Sequence, residues 1–264
     1  MILQIFLEFL IQVLSTVGVI FLFGLVIAFC NRIFYRNLGM FGTPACYITG
    51  LIGTPVHELS HALFCVVFGH KIVEIKLYQI NSEDGVLGYV RHKYSPNNLY
   101  QKIGNFFIGI APILVISAIL YFLAQLLVPG MTDLIIAEAV GLRSDAGFDG
   151  LLDCFVFFVE CIFGPAQTVY WWIFFIAGLF LAPHMTLSTA DIRGAWSGLA
   201  TMLVLLFGVD VVLGFVSAST MELLTELCLT AGGVLGGLFV FAVAVSLALV
   251  VLSLLLRLAL RRFV

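Results

Sequence analysis

The chain has 264 residues, of which 62% are hydrophobic and 10% charged, and its mean hydropathy is +1.17. Soluble domains run at roughly 45–50% apolar and roughly 25% charged, so this composition excludes a soluble globular protein and indicates a polytopic membrane protein lying in a lipid bilayer. A net charge of −3 gives no sign of nucleic-acid binding, and the six cysteines (Cys30, Cys46, Cys65, Cys154, Cys161 and Cys228), with no C-x-x-C pair, read as small buried hydrophobes.

A membrane span takes about 20 mostly apolar residues. That ruler predicts six spans, at roughly 5–29, 45–69, 103–128, 166–183, 192–217 and 230–256. The first lacks a basic n-region and a small-residue cleavage site, and reads as a retained span in which Glu8 and Gln12 mark the beginning. Gly50, Gly53 and Pro55 interrupt the second, which predicts a break there, with Pro55 opening a new helix capped by Thr54. Gly69 reads as the residue that ends this span, with His70 and Lys71 as flanking cations.

After it, alternating apolar and polar residues on both sides of Ser82-Glu83-Asp84-Gly85 predict a β-hairpin at about 72–93, with His92 solvated or at the headgroups. Residues 129–165 are acidic and punctuated by glycine, and predict an outer or interfacial segment. The fourth span is short. In the fifth, Asp210 is an intramembrane acid with no partner readable in sequence. With both termini cytoplasmic, nine of the Lys and Arg residues fall on the inner side against three (Arg32, Arg36 and Arg143) outside, the asymmetry expected of cytoplasmic loops. The overall expectation is an all-α polytopic membrane protein, a single integral domain over 1–264, with about six transmembrane helices and a small β-hairpin between the second and third.

The second span contains His57-Glu58-Leu59-Ser60-His61, an H-E-x-x-H. On a helix the i, i+4 spacing sets both imidazoles on one face, where they can share a metal, and Glu58 lies one residue round, within reach of a water at that metal. Three ionisable side chains within five residues of a lipid-embedded helix cost several kcal/mol, and a divalent cation is the compensation that fits this residue set. A proton path or a satisfied polar network is the alternative.

HELSH, a hairpin ending in Gly88-Tyr89-Val90 and a span carrying Gly109-Ile110-Ala111-Pro112 together resemble the site-two protease family of intramembrane zinc metalloproteases, over roughly residues 50–205. The resemblance implies a metalloprotease-like core at about 45–217, one zinc ion held by His57, His61 and an aspartate from a later span, and Glu58 as catalytic base. It also implies cleavage of a transmembrane protein or peptide near the cytoplasmic face, in a multi-pass protein of the cell membrane.

The family's Asn-Pro element and Leu-Asp-Gly are absent. Their nearest equivalent is Pro183 to Leu199, where Asp191 opens a span as the family aspartate does and is the candidate third ligand. Ser188 followed by an acid at N3 is equally a helix-start pattern. His184 competes as a ligand or as a group that polarises the scissile carbonyl, and Arg193 can instead neutralise Asp191. The hairpin, through Gly88, Tyr89 and Val90, is expected to present substrate by strand addition. A transporter or channel, or a non-proteolytic zinc-binding scaffold, are the alternatives from other classes.

Overall fold

The computed structural model describes residues 2–80, 85–130 and 168–260. Long apolar runs become helices because in lipid each amide must find its partner within its own segment. Helix α1 (Ile2–Val13) passes through one π-helical turn, Leu14–Gly18, into α2 (Val19–Leu38). A short 3-10 turn at Gly39–Phe41, with Gly39 at φ +55°, leads into α3 (Gly42–Val67). Strands β1 (Lys71–Lys76) and β2 (Tyr89–Lys93) follow, then α4 (Leu99–Leu127), α5 (Val169–Leu181) with a 3-10 turn at Ala182–His184, α6 (Thr189–Val216) and α7 (Ala218–Leu260). The helical stretches long and apolar enough to cross a membrane are Ile2–Val67, Leu99–Leu127, Thr189–Val216 and Ala218–Ala259, and Val169–His184 is a shorter apolar helix.

Each expected span overlaps a helix, but three boundaries differ. The first helical rod continues to Leu38, so Arg32 and Arg36 are helical residues and not a loop. The last helix starts at Ala218, well before residue 230. Most consequential, α3 runs unbroken through Pro55. The small residues that read as breakers are contact points: a Cβ at Gly50 would stand 3.1 Å from the Tyr78 ring, and one at Gly53 would collide with the His184 ring and the Phe180 carbonyl oxygen. Thr54, expected as a cap, instead places its hydroxyl 3.4 Å from His184 Nδ1. The acidic outer segment lies, from residue 131 onward, outside the described residues.

The end of α3 is a Schellman turn: Gly69 takes φ +67°, its amide reaches the Val66 carbonyl at 3.1 Å, and the His70 amide reaches Cys65 at 2.8 Å. The chain thereby turns directly into β1. The two strands are antiparallel, pairing Ile72 with His92, Glu74 with Arg91 and Lys76 with Tyr89, and a bulge at Val73 shifts the register between the first two pairs.

The bundle core lies on α4, where Phe106, Ile110, Ile113, Ile116 and Leu120 are fully buried against Phe239 and Phe241 of α7 and Ile27 of α2. Without a hydrophobic drive between helices in lipid, close approach depends on small residues. Gly109 of α4 is such a point: a Cβ there would come 2.6 Å from the Ala195 Cβ and 2.8 Å from the Asp191 carbonyl oxygen of α6. That contact sets the start of α6 against the centre of α4, opposite the H-E-x-x-H.

Candidate metal centre

The helical period of α3 brings His57 and His61 onto one face, with their Nε2 atoms 3.2 Å apart. Both rings are fixed from behind by carbonyls. His57 Nδ1 donates to the backbone oxygen of His184 at 2.8 Å, and His61 Nδ1 donates to that of Ile108 at 2.7 Å. A carbonyl only accepts, so each neutral ring carries its proton on Nδ1 and presents a bare lone pair at Nε2. Two lone pairs facing each other at this distance repel unless an electrophile lies between them.

The third member comes from the start of α6. Asp191 Oδ1 lies 3.3 Å from His61 Nε2 and Oδ2 lies 4.0 Å from His57 Nε2. The donor atoms of His57, His61 and Asp191 fall within 4.8 Å of one another, a group that can hold a metal ion. Ligands about 2.0–2.1 Å from a tetrahedral zinc stand about 3.3 Å apart, close to the spacings of His61 to its two neighbours. The carbonyl-anchored imidazoles also match the second shell that orients histidine ligands of zinc.

Asp191 has a second task. Its Oδ2 accepts the Ser188 amide at 2.8 Å, while the Asp191 amide donates to Ser188 Oγ at 3.1 Å, a reciprocal capping box. The cap and the metal-facing edge therefore coexist on one carboxylate. Among the described residues no ion pair joins Arg193 to Asp191.

His184 stands differently from either place expected for it. Its ring points to Thr49, Nε2 to Oγ1 at 2.9 Å, and it does not line the site cavity. Thr49 spends its own proton on the Ala45 carbonyl at 2.9 Å, so its oxygen receives His184 Nε2–H, with the Tyr35 hydroxyl 3.3 Å away. Asn31 Nδ2 holds the same turn through the Ala182 carbonyl at 3.0 Å. His184 reaches the candidate centre through its backbone, as the acceptor that orients His57.

Glu58 is buried at the wall of a cavity of about 470 Å³ that His57, His61 and Asp191 share. Gly88 lies against it: a Cβ at that position would come 2.8 Å from Glu58 Cγ and 2.9 Å from the carbonyl oxygens of Lys76 and Leu77. Only glycine lets the hairpin settle there. Gly88, Tyr89 and Val90 all line the cavity, so the strand runs along one wall of the site.

Two lining residues carried no usable signal in sequence. Asn105 is buried on α4 and donates to Ser197 Oγ at 3.2 Å. His92, read as solvated, is half-buried and bonded to His70, Nδ1 to Nδ1, at 3.0 Å. Burial, then the neighbouring His70 and His61, hold its imidazole below the usual histidine range.

Asp210 lies elsewhere, at the junction of α1, α6 and α7. Gln12 Nε2 donates to its Oδ1 at 3.0 Å and to Thr225 Oγ1 at 2.9 Å, which supplies the partner the sequence did not reveal.

Residues 50–141 match the model of a protein family described as "Putative zincin peptidase". The matched stretch holds the H-E-x-x-H, the hairpin and α4, about a third of the chain, and ends before His184 and Asp191. It supports a zinc metallopeptidase. No curated protein and no solved structure matches the chain.

Proposed function

We propose that the chain is an intramembrane zinc metallopeptidase, similar to the site-two proteases, that hydrolyses peptide bonds of membrane-embedded substrates at the cytoplasmic side of the cell membrane. The observation that carries this reading is the convergence of two carbonyl-locked imidazoles and Asp191 beside the buried carboxyl group of Glu58, within one cavity bounded by a strand.

His57, His61 and Asp191 would hold one zinc ion. Bound there, zinc supplies a Lewis acid for the carbonyl oxygen and lowers the pKa of water to about 7. Glu58 takes the proton of the attacking water and returns it to the departing amide nitrogen. The hairpin supports the choice of substrate. A transmembrane helix arrives with its amides internally bonded, and a strand edge along the cavity can take the unwound segment by strand addition, through the residues about Gly88, Tyr89 and Val90. The excess of lysine and arginine in and around the hairpin supports an inner position for it.

The test uses the full chain in proteoliposomes with two probes, a synthetic single-span peptide carrying a Gly-Pro break and soluble casein, read by mass spectrometry. Zinc-loaded wild type is expected to cut the single-span peptide, and Glu58→Gln to keep its zinc and cut neither. Cleavage of casein alone would refute the intramembrane assignment, and cleavage by Glu58→Gln would refute the base.

A further inference from the structure

His70 and His92 lie outside the His57, His61 and Asp191 group, and their hydrogen bonds have a single consistent direction. His70 Nε2 lies 2.7 Å from the Gln101 carbonyl oxygen and must donate to it. In the neutral ring its Nδ1 is then an acceptor, so the proton in the 3.0 Å contact belongs to His92 Nδ1. His92 is left with a bare Nε2 that has no hydrogen-bond partner among the described residues, on a ring that lines the same cavity as Glu58. His70 is buried, stacked on Tyr94 at 5.3 Å, and sits at the Schellman turn where α3 meets the hairpin. The lock is therefore built into the rigid end of the catalytic helix.

Resting on the metallopeptidase reading, we propose that His92 is a second catalytic proton acceptor of this site and that His70 positions it by fixing its tautomer. Hydrolysis of one peptide bond by one water yields a carboxylate and an ammonium, so both protons of the water end on the amine. Glu58 carries the first from the water to the amide nitrogen as the C–N bond breaks. The second remains as the acid proton of the new carboxyl group. His92 Nε2 accepts it and passes it to the free amine, which becomes the ammonium, and both His92 and Glu58 return to their starting states. Of the other basic side chains in the cavity wall, the ligand atoms of His57, His61 and Asp191 lie within 4.8 Å of one another in the candidate metal group, and Glu58 is engaged with the first proton. At neutral pH the lowered proton affinity of His92 keeps the lone pair available.

The experiment compares wild type with His92→Gln, which retains size and polarity but cannot take up a proton, on the single-span peptide. The expected result is full zinc occupancy, an unchanged melting temperature at neutral pH, KM within about twofold and kcat lower by about 10²-fold. Independently of activity, 15N-histidine NMR of the zinc-loaded protein at neutral pH is expected to show His92 neutral with the proton on Nδ1, and His70→Phe to release the Nε2–H tautomer. An unchanged kcat in His92→Gln, a loss confined to KM, or a wild-type His92 carrying its proton on Nε2 overturns this assignment and leaves the peptidase intact. A zinc-loaded wild type that cleaves neither probe overturns the reading beneath it.

Discussion

The two tasks of Asp191 can be separated by comparing Ser188→Ala with Asp191→Ala. Each removes one half of the capping box and loses about 1 kcal/mol of helix-start stability, so without zinc the two variants are expected to melt at similar temperatures. Their zinc affinities diverge. If the whole cap energy were transmitted to the metal group, Ser188→Ala would weaken zinc binding by about fivefold. Removing outer-shell partners of a metal costs about 10–100-fold, so removing the carboxylate that completes the group should cost at least about 10²-fold. At a zinc concentration 100 times the wild-type Kd, bound metal stabilises wild type by about 2.7 kcal/mol, Ser188→Ala by about 1.8 kcal/mol and Asp191→Ala by about 0.4 kcal/mol. Thermal melting of the full chain in detergent, with and without zinc and with metal analysis alongside, reads all three. Equal zinc stabilisation of the two variants would show Asp191 to be a cap alone, and full stabilisation of Asp191→Ala would remove it as a ligand.

Four further outcomes are expected. His184→Ala frees the turn whose carbonyl orients His57 and should weaken zinc binding by about 10–100-fold, whereas Thr49→Val, which strands the buried His184 Nε2–H, should act in the same direction at a cost of about 1–3 kcal/mol in stability; isothermal titration and melting check both. Gly109→Ala forces α4 away from Ala195 and Asp191, with an expected loss of about 1–3 kcal/mol and of zinc affinity, while Gly194→Ala, which meets nothing within 4 Å on its helix, should lose neither stability nor zinc affinity in the same assays. Asp210→Asn keeps an acceptor for Gln12 and should leave zinc and cleavage intact, but Gln12→Leu removes the only donor to the Asp210 carboxyl group among the described residues and should lower the melting temperature markedly. Because the folded protein lowers the His92 pKa, protonation favours the unfolded state: stability is unaffected above about pH 6.5 and falls as pH drops below it, so His92→Gln should flatten the acid side of a melting-temperature profile.

Much of the local structure was legible because it depends on neighbours in the chain. The H-E-x-x-H needs only the helical period to set its imidazoles together, and Ser188 with Asp191 is a capping box over three residues. Gly69 ends α3 as expected, and two strands do pair on either side of the expected turn, of which residues 82–84 lie outside the described residues. Misreadings came where small residues serve distant partners. Gly50, Gly53 and Pro55 resemble a break, yet their helix is continuous, since the glycines admit the Tyr78 and His184 side chains. Thr54 looked like a cap and is a neighbour of His184.

By itself, then, the sequence determined the lipid-compatible composition, the helix and hairpin segments and the pair of imidazoles with its carboxylate, all set by periodicities of a few residues. Tertiary structure alone decided that Asp191 meets His61 across 130 residues of chain, that His184 serves His57 through its carbonyl and not its ring, and that His92 is locked by His70 at the cavity wall. The physical reason is the same in each case. A hydrogen bond or a ligand group spans a few ångströms of space, and which distant residues share that space is fixed by how closely glycines such as Gly53, Gly88 and Gly109 let the elements approach.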